Sequence, residues 1–314
     1  MPSQWRVILV RKDGVRVPFQ LVRDVKSGWK DLAVVNGPEH IPVTGVRTRG
    51  DSLFFSLPAF ESSFKLQILA NGDLRGTYIK GTSAGFQDWT FYGSAREKAR
   101  FFPSQGPASI QIFGNWDVTF TRPDGTTRKA VGIFTQNGNQ VTGSFLTPSS
   151  DNRYLAGIVT GDSLYLSGFD GDNIHLFTAR IENGRTLTGG TFYNGYTAIQ
   201  TWKASREDSV VLPVIDDPTR LRSGDSTLDF SFPDLEGHPV SIRDPRFRGK
   251  VVIVQIMGSW CANCLDETRF LSEYYRKNRS RGVAIVAIAY ELSTNFSRSK
   301  ASLERIKKLL DVTY

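Results

Sequence analysis

Cysteine is nearly absent from this chain: two residues, Cys261 and Cys264, in 314. A disulfide-stapled scaffold needs several widely spaced pairs, so that class is excluded. Methionine is equally scarce, at two. Long apolar runs are missing as well. The longest, Val251 to Met257, is interrupted by Gln255 and falls far short of the ~20 residues a helix needs to cross a bilayer. The amino end, Met-Pro-Ser-Gln-Trp-Arg, has no apolar stretch of the secretory-signal kind, which by itself assigns no compartment. Charge of one sign is not concentrated anywhere. The net charge of +8 comes from basic residues interleaved with acids, with 15 basic and 9 acidic in residues 1–103, 8 and 9 in 104–209, and 16 and 13 in 210–314. A nucleic-acid binder concentrates its surplus in a stripe or arm, so no nucleic-acid partner is expected. Weak attraction to an anionic membrane or cell-wall surface stays open.

Aromatic residues (12%) and 29 glycines are what the chain has in quantity, a balance that favours many short strands and tight turns. The first 208 residues also echo themselves. Trp5 and Trp116, Asp13-Gly14 and Asp124-Gly125, and Gly50-Asp51-Ser52-Leu53 and Gly161-Asp162-Ser163-Leu164 each stand 111 apart. Asn71-Gly72 and Asn183-Gly184 follow at 112, Trp89 and Trp202 at 113. An ordered series at a near-constant offset points to duplication, and a period this long suits tandem small domains. In the second copy, strands are expected near 115–122, 128–136, 139–147, 153–160, 162–169, 174–182, 185–193 and 197–206. Asn-Gly and Asp-Gly turns between them supply the positive φ that hairpins need. The expectation is an all-β tandem repeat of two antiparallel eight-strand barrel- or sandwich-like domains, at 1–103 and 108–208.

Several residues here invite a functional reading. Trp5, Trp89, Trp116 and Trp202 could line a ligand cup, but aromatics dominate β cores and core is the expectation. Asp170, Asp172 and Asn173 could suggest calcium, but no bidentate Glu follows at loop spacing, so turn roles are expected. His40 and His175 are isolated in sequence and expected to be surface or packed residues rather than metal ligands.

Residues 209–227, with Pro213 and Pro218, read as a linker. A new pattern follows. Short strands at Leu228–Phe232 and Val240–Ile242 flank the turn Leu235-Glu236-Gly237-His238. Lys250–Met257 is a Val/Ile-rich run with the look of a strand buried on both faces. Gly258-Ser259-Trp260-Cys261-Ala262-Asn263-Cys264 comes next, then a helical stretch over Leu265–Lys277, a second buried strand at Val283–Ala289, and a helix over Asn295–Leu310. A C-x-x-C at the first strand-to-helix junction of a β-α-β unit is the redox-active arrangement. At a helix N-terminus, free N–H groups and the dipole stabilise a thiolate, so Cys261 is the expected nucleophile and Cys264, one turn on, the resolving thiol. Zinc would need two further ligands, and the nearest histidine is His238. Glu267 lies three residues after Cys264 on the same helical face; spacing alone leaves it either a proton carrier for the resolving thiol or a solvated residue paired with Arg269 or Lys277. Asp266 points elsewhere and is expected to be solvated.

The run Phe232-Pro233-Asp234-Leu235, Gly237, Val240-Ser241-Ile242, Gly249-Lys250-Val251-Val252 and Gly258 to Glu267 resembles the TlpA/ResA-type thiol–disulfide oxidoreductases, over about residues 228–314. The family pattern of strand, Trp-Cys-x-x-Cys and a glutamate three residues on is matched by Trp260, Cys261, Cys264 and Glu267. The resemblance implies a thioredoxin-like α/β domain, Glu267 as a proton-handling residue, and an extracytoplasmic protein of the bacterial envelope. It also implies a protein disulfide as substrate and an upstream thiol as reductant, with no cofactor and no metal. Two features depart from the pattern. Ala262-Asn263 stands where a proline is usual, and the chain stops at Tyr314, where the family continues with a cis-proline loop, further strands and a helix. A truncated domain at 228–314 is therefore expected. Two alternatives stand beside this reading. One is a thiol peroxidase, although Gly258 occupies the position where a Thr or Ser would polarise peroxide. The other is a ligand-binding or envelope-interaction module carried by the β repeats.

Overall fold

The computed structural model describes residues 2–103, 110–213 and 219–314. The expected start of the second repeat at 108, and Pro218 with the middle of the linker, lie outside the described residues. The chain divides into two compact units, one of residues 1–81 and 86–214, the other of 82–85 and 215–314.

The first unit is all β. One sheet takes β1 (Gln4–Val10), β2 (Arg16–Arg23), β3 (Leu32–Asn36), β4 (Glu39–Pro42), β5 (Thr44–Arg49), β6 (Ser52–Ser56), β7 (Ser62–Ile68), β8 (Leu74–Thr82) and β9 (Gly85–Ser94). Their order is β4-β3-β2-β1-β9-β8-β7-β6-β5. The other takes β10 (Gly114–Thr121), β11 (Thr127–Asn137), β12 (Gln140–Thr147), β13 (Ser150–Asp151), β14 (Leu155–Thr160), β15 (Ser163–Phe169), β16 (Ile174–Glu182), β17 (Thr186–Asn194) and β18 (Ala198–Arg206). Here β11 pairs with both β10 and β12, so eight of the strands close on themselves and β13 hangs on β12. Closure leaves no unpaired edge to recruit another chain. Among the described residues each sheet thus holds nine strands where eight were expected. The additions are short: β4 folds back on β3 after a two-residue turn, and β13 is two residues long.

Alternation explains which side chains go in. Along β10, Trp116, Val118 and Phe120 are buried while their neighbours are partly exposed, the period-two pattern of a strand with one face on the core. Turn chemistry sets the register. Asn183 and Gly184 both have positive φ (53° and 63°), as a tight hairpin between β16 and β17 requires. At Gly157 the reason is contact instead, since a Cβ there would overlap the Tyr165 carbonyl oxygen of β15.

One core gathers Trp116, Phe120, Phe145, Phe177, Phe192 and Trp202 of the second sheet. The other gathers Trp5, Phe19, Phe55, Phe64, Tyr78, Trp89 and Phe91 of the first sheet, and also takes Ile158, Phe169, Ile174 and Leu176 from the second. Phe169 lies 4.5 Å from the Phe19 ring and 5.2 Å from that of Tyr78. The Tyr78 hydroxyl donates to Gly171 O at 2.8 Å. The β15–β16 turn is therefore seated in the first sheet's core. Beside it, the buried Arg100 guanidinium donates to the carbonyls of Val35, Pro18 and Ser167 and to Ser167 Oγ. Burial lowers the pKa of Arg100 to about 9.

The second unit holds an antiparallel pair, β19 (Ser231–Pro233) with β20 (Pro239–Ser241), and a parallel pair, β21 (Val251–Met257) with β22 (Val283–Ala289). Helix α1 (Ala262–Asn278) connects β21 to β22, and α2 (Phe296–Leu309) follows. The apolar runs are less covered than expected. Val251 is 68% and Ile256 59% exposed, and β22 buries only Ala284 and Ile285. The described sheet has two strands here, so each has one neighbour rather than two.

Candidate functional site

The site forms where β21 gives way to α1. Parallel pairing of Val251–Met257 with Val283–Ala289 puts both strands' carboxyl ends side by side. The chain leaves β21 through Gly258-Ser259-Trp260, a turn closed by Cys261 N–H donating to Gly258 O at 3.0 Å. A Cβ at 258 would collide with the Trp260 indole, so glycine permits that ring to fold over the turn. The indole N–H donates to Tyr290 O at 2.8 Å, just past β22, and the ring is 40% exposed. The Glu291 carboxylate accepts from both Ser259 N–H (2.7 Å) and Ser259 Oγ (2.5 Å). These contacts pin the turn to the end of β22.

Cys261 is the N-cap of α1, with extended backbone (φ −96°, ψ 108°). Its Sγ accepts from Cys264 N–H at 3.2 Å, the place where a capping oxygen usually sits. Cys261 and Cys264 are joined as a disulfide with Cα atoms 5.2 Å apart. Both are partly exposed. A thiolate at Cys261 sits at the positive end of the α1 dipole and accepts the Cys264 N–H, an environment that favours the charged form.

Beneath the cysteines lies a polar chain that was not foreseen. Thr268 Oγ1 donates to Cys264 O at 2.7 Å. Gln255, 3% exposed on β21, donates through Nε2 to Thr268 Oγ1 and to Glu267 Oε2, both at 3.0 Å. Glu267 itself is exposed and is held by Gln255 from below. Arg269, one of its expected partners, pairs instead with Asp266 at 3.1 Å. Sequence reasoning passed over Gln255, Thr268, Ser259 and Glu291. For Gln255 a signal was available, since it is the one polar residue in an otherwise apolar strand.

The other singled-out residues lie elsewhere. Trp5, Trp89, Trp116 and Trp202 are buried in the β cores, where Trp5 Nε1 donates to Gly72 O and Trp116 Nε1 to Ile112 O. Asp170 accepts from the N–H groups of Asp172 and Asn173 within its own turn, and Asp172 pairs with Lys80 at 3.0 Å. His40 and His238 are exposed, and His175 is buried. No group of three or more metal-suited side chains occurs among the described residues.

A strand, a C-x-x-C at a helix N-terminus and a parallel strand returning beside the first are the features of a thioredoxin-like domain, and residues 222–311 match the Redoxin family model. Thiol–disulfide oxidoreductases called ResA are similar to this part of the chain. That of Geobacillus kaustophilus is 30% identical over 96 residues, 31% of this chain and 51% of the relative. That of Bacillus thuringiensis subsp. konkukian is 33% identical over 69 residues, 22% and 39%. That of Bacillus subtilis is 27% identical over 94 residues, 30% and 48%. The chain spans about half the length, or less, of these curated relatives. Over these matched residues the C-terminal segment is similar to thioredoxin-like proteins of the TlpA/ResA type. A solved redesigned β barrel is also similar, at 16% identity and a TM-score of 0.26 over 31% of this chain and 91% of that one, a likeness too slight to bear on fold or function.

Proposed function

We propose that this protein reduces disulfides in client proteins through Cys261 and Cys264. The observation that carries the reading is Cys261 as N-cap of α1, its sulfur accepting the Cys264 N–H. In the reduced protein the Cys261 thiolate attacks one sulfur of the client disulfide. A mixed disulfide forms, and the first client sulfur leaves as a thiolate and takes up a proton. Cys264 gives its proton to the Glu267 carboxylate and attacks Cys261 Sγ. The intramolecular disulfide closes and the second client sulfur departs. Two electrons pass from the dithiol to the client, and an upstream thiol reductant restores Cys261 and Cys264. Trp260, pinned to Tyr290 O with its ring partly exposed, forms one wall against which a client backbone would lie.

The domain scheme of two β repeats at 1–103 and 108–208, a linker at 209–227 and the redox domain at 228–314 goes with this reading. So does an extracytoplasmic address with membrane or cell-wall association. Both rest on the pattern of residue echoes and on the TlpA/ResA resemblance.

The test is trapping. Reduced Cys264→Ser should accumulate a mixed disulfide with a disulfide-bearing peptide, releasing one peptide thiol, and Cys261→Ser should accumulate none, as read by intact-mass spectrometry. Equal trapping by the two variants would overturn the assignment of roles.

A further inference from the structure

Gln255 interrupts an apolar strand, is almost fully buried, and meets the reading above at its least explained residue. A buried amide lowers stability unless its hydrogen bonds are made. An apolar residue in the middle of β21 would serve the core better. The Gln255 amide nitrogen donates to two neighbouring groups, Glu267 Oε2 and Thr268 Oγ1, each at 3.0 Å. Thr268 in turn donates to the carbonyl of Cys264 at 2.7 Å. One buried side chain therefore ties a carboxylate and the backbone of the second cysteine to the same point on the strand.

We propose that Gln255 is a positioning residue for the resolving step, holding the Glu267 carboxylate in one orientation to take the Cys264 proton. This rests on the proposed dithiol chemistry and names a residue that chemistry did not call for. The physical reason is directional. A carboxylate only accepts, so the donor facing it is the amide nitrogen, which fixes the direction of the bond. A lone exposed glutamate on a helix would sample several rotamers; one anchored from below is confined. Other groups bear on Glu267. The Tyr314 phenol lies near it, its pKa raised by burial and by the Glu267 charge. Asp266 and Arg269 pair with each other on the same helix. Gln255 approaches from the strand side.

The experiment follows the resolving step alone. Cys261 of the full chain is loaded as a mixed disulfide with thionitrobenzoate, and release of the coloured thiol reports attack by Cys264. Rate against pH is measured for the wild type, Gln255→Met, Glu267→Gln and the double variant. Methionine keeps the volume and removes the donor. Gln255→Met should slow release about tenfold across the pH range, as a displaced proton acceptor would. In the Glu267→Gln background the same substitution should change nothing further. An unchanged rate, or an equal slowing in both backgrounds, overturns the proposal. A structural role alone would lower thermal stability without coupling to Glu267. Should Gln255→Met fold poorly, a second measurement decides: by NMR, the Gln255 side-chain amide protons should exchange slowly with solvent in the wild type and faster in Glu267→Gln, and equal exchange in the two overturns the proposal. Failure of the underlying reading looks different, since a wild-type chain that never releases thionitrobenzoate leaves the amide exchange intact.

Discussion

Acid should weaken the β unit through one histidine. His175 on β16 is buried, set edge-to-face 5.3 Å from the Phe192 ring. Burial lowers its pKa from 6.5 to about 4, a shift that Lys80 reinforces and that Asp170 and a hydrogen bond with Asn194 oppose. The sign follows from which state takes the proton first. Above pH 6.5 the imidazole is neutral folded or unfolded, and stability is full. As pH falls from 6.5 to about 4 the unfolded chain binds a proton the folded one refuses, so stability drops across that window and the loss is complete below it. The gap between the two values corresponds to about 3 kcal/mol at ~1.4 kcal/mol per tenfold in proton affinity. For a unit of this size that is a fall in Tm of about 6–12 °C. Asp13 and Asp162, lowered by their Arg11 and Arg180 partners, begin to cost stability only below the usual aspartate value, under the window. Asp172, raised by burial, acts the other way, but it does so with or without the histidine. The assay is tryptophan fluorescence against temperature at a series of pH values, because five of the six tryptophans lie in this unit. His175→Gln should be flatter than the wild type between pH 6.5 and 4. Parallel curves for the two proteins would refute the reasoning.

Two further outcomes test the packing. Phe169→Ala should cost about 3–5 kcal/mol, read as a lower urea midpoint, because its ring fills space between Phe19, Phe64 and Tyr78; a loss under about 1 kcal/mol would mean the turn is not seated there. Arg100→Met should cost about 3 kcal/mol by removing the guanidinium donors to the carbonyls of Val35 and Ser167, while Pro18 O keeps the Ser167 hydroxyl, and Arg100→Lys should rescue little, since an ammonium cannot fork to them; a fully stable Met variant in urea would contradict this.

Local chemistry was legible in the chain. Strands expected at 174–182 and 139–147 lie at Ile174–Glu182 and Gln140–Thr147, because alternation and Asn-Gly turns act within a few residues. The helix after the C-x-x-C, expected over Leu265–Lys277, spans Ala262–Asn278, and Asn295 caps α2 through its side chain. Apolar character also overstated cover, since Val251 and Ile256 read as buried and stand exposed: hydrophobicity records what a residue prefers, and neighbours decide what it gets. The remaining decisions are long-range. Nothing near Phe169 in sequence says that its ring will enter a core built by residues 5–91. Pairing of β11 with β12 as well as β10 closes one sheet, and burial of His175 follows from packing around it. Gln255 and Glu267 are 12 residues apart, on a strand and a helix whose facing sides are set only when α1 lies against its sheet. Periodicity and turn residues determine elements, because those forces are local; which buried polar groups find each other is decided by tertiary packing, because an unsatisfied donor is costly only once water has gone.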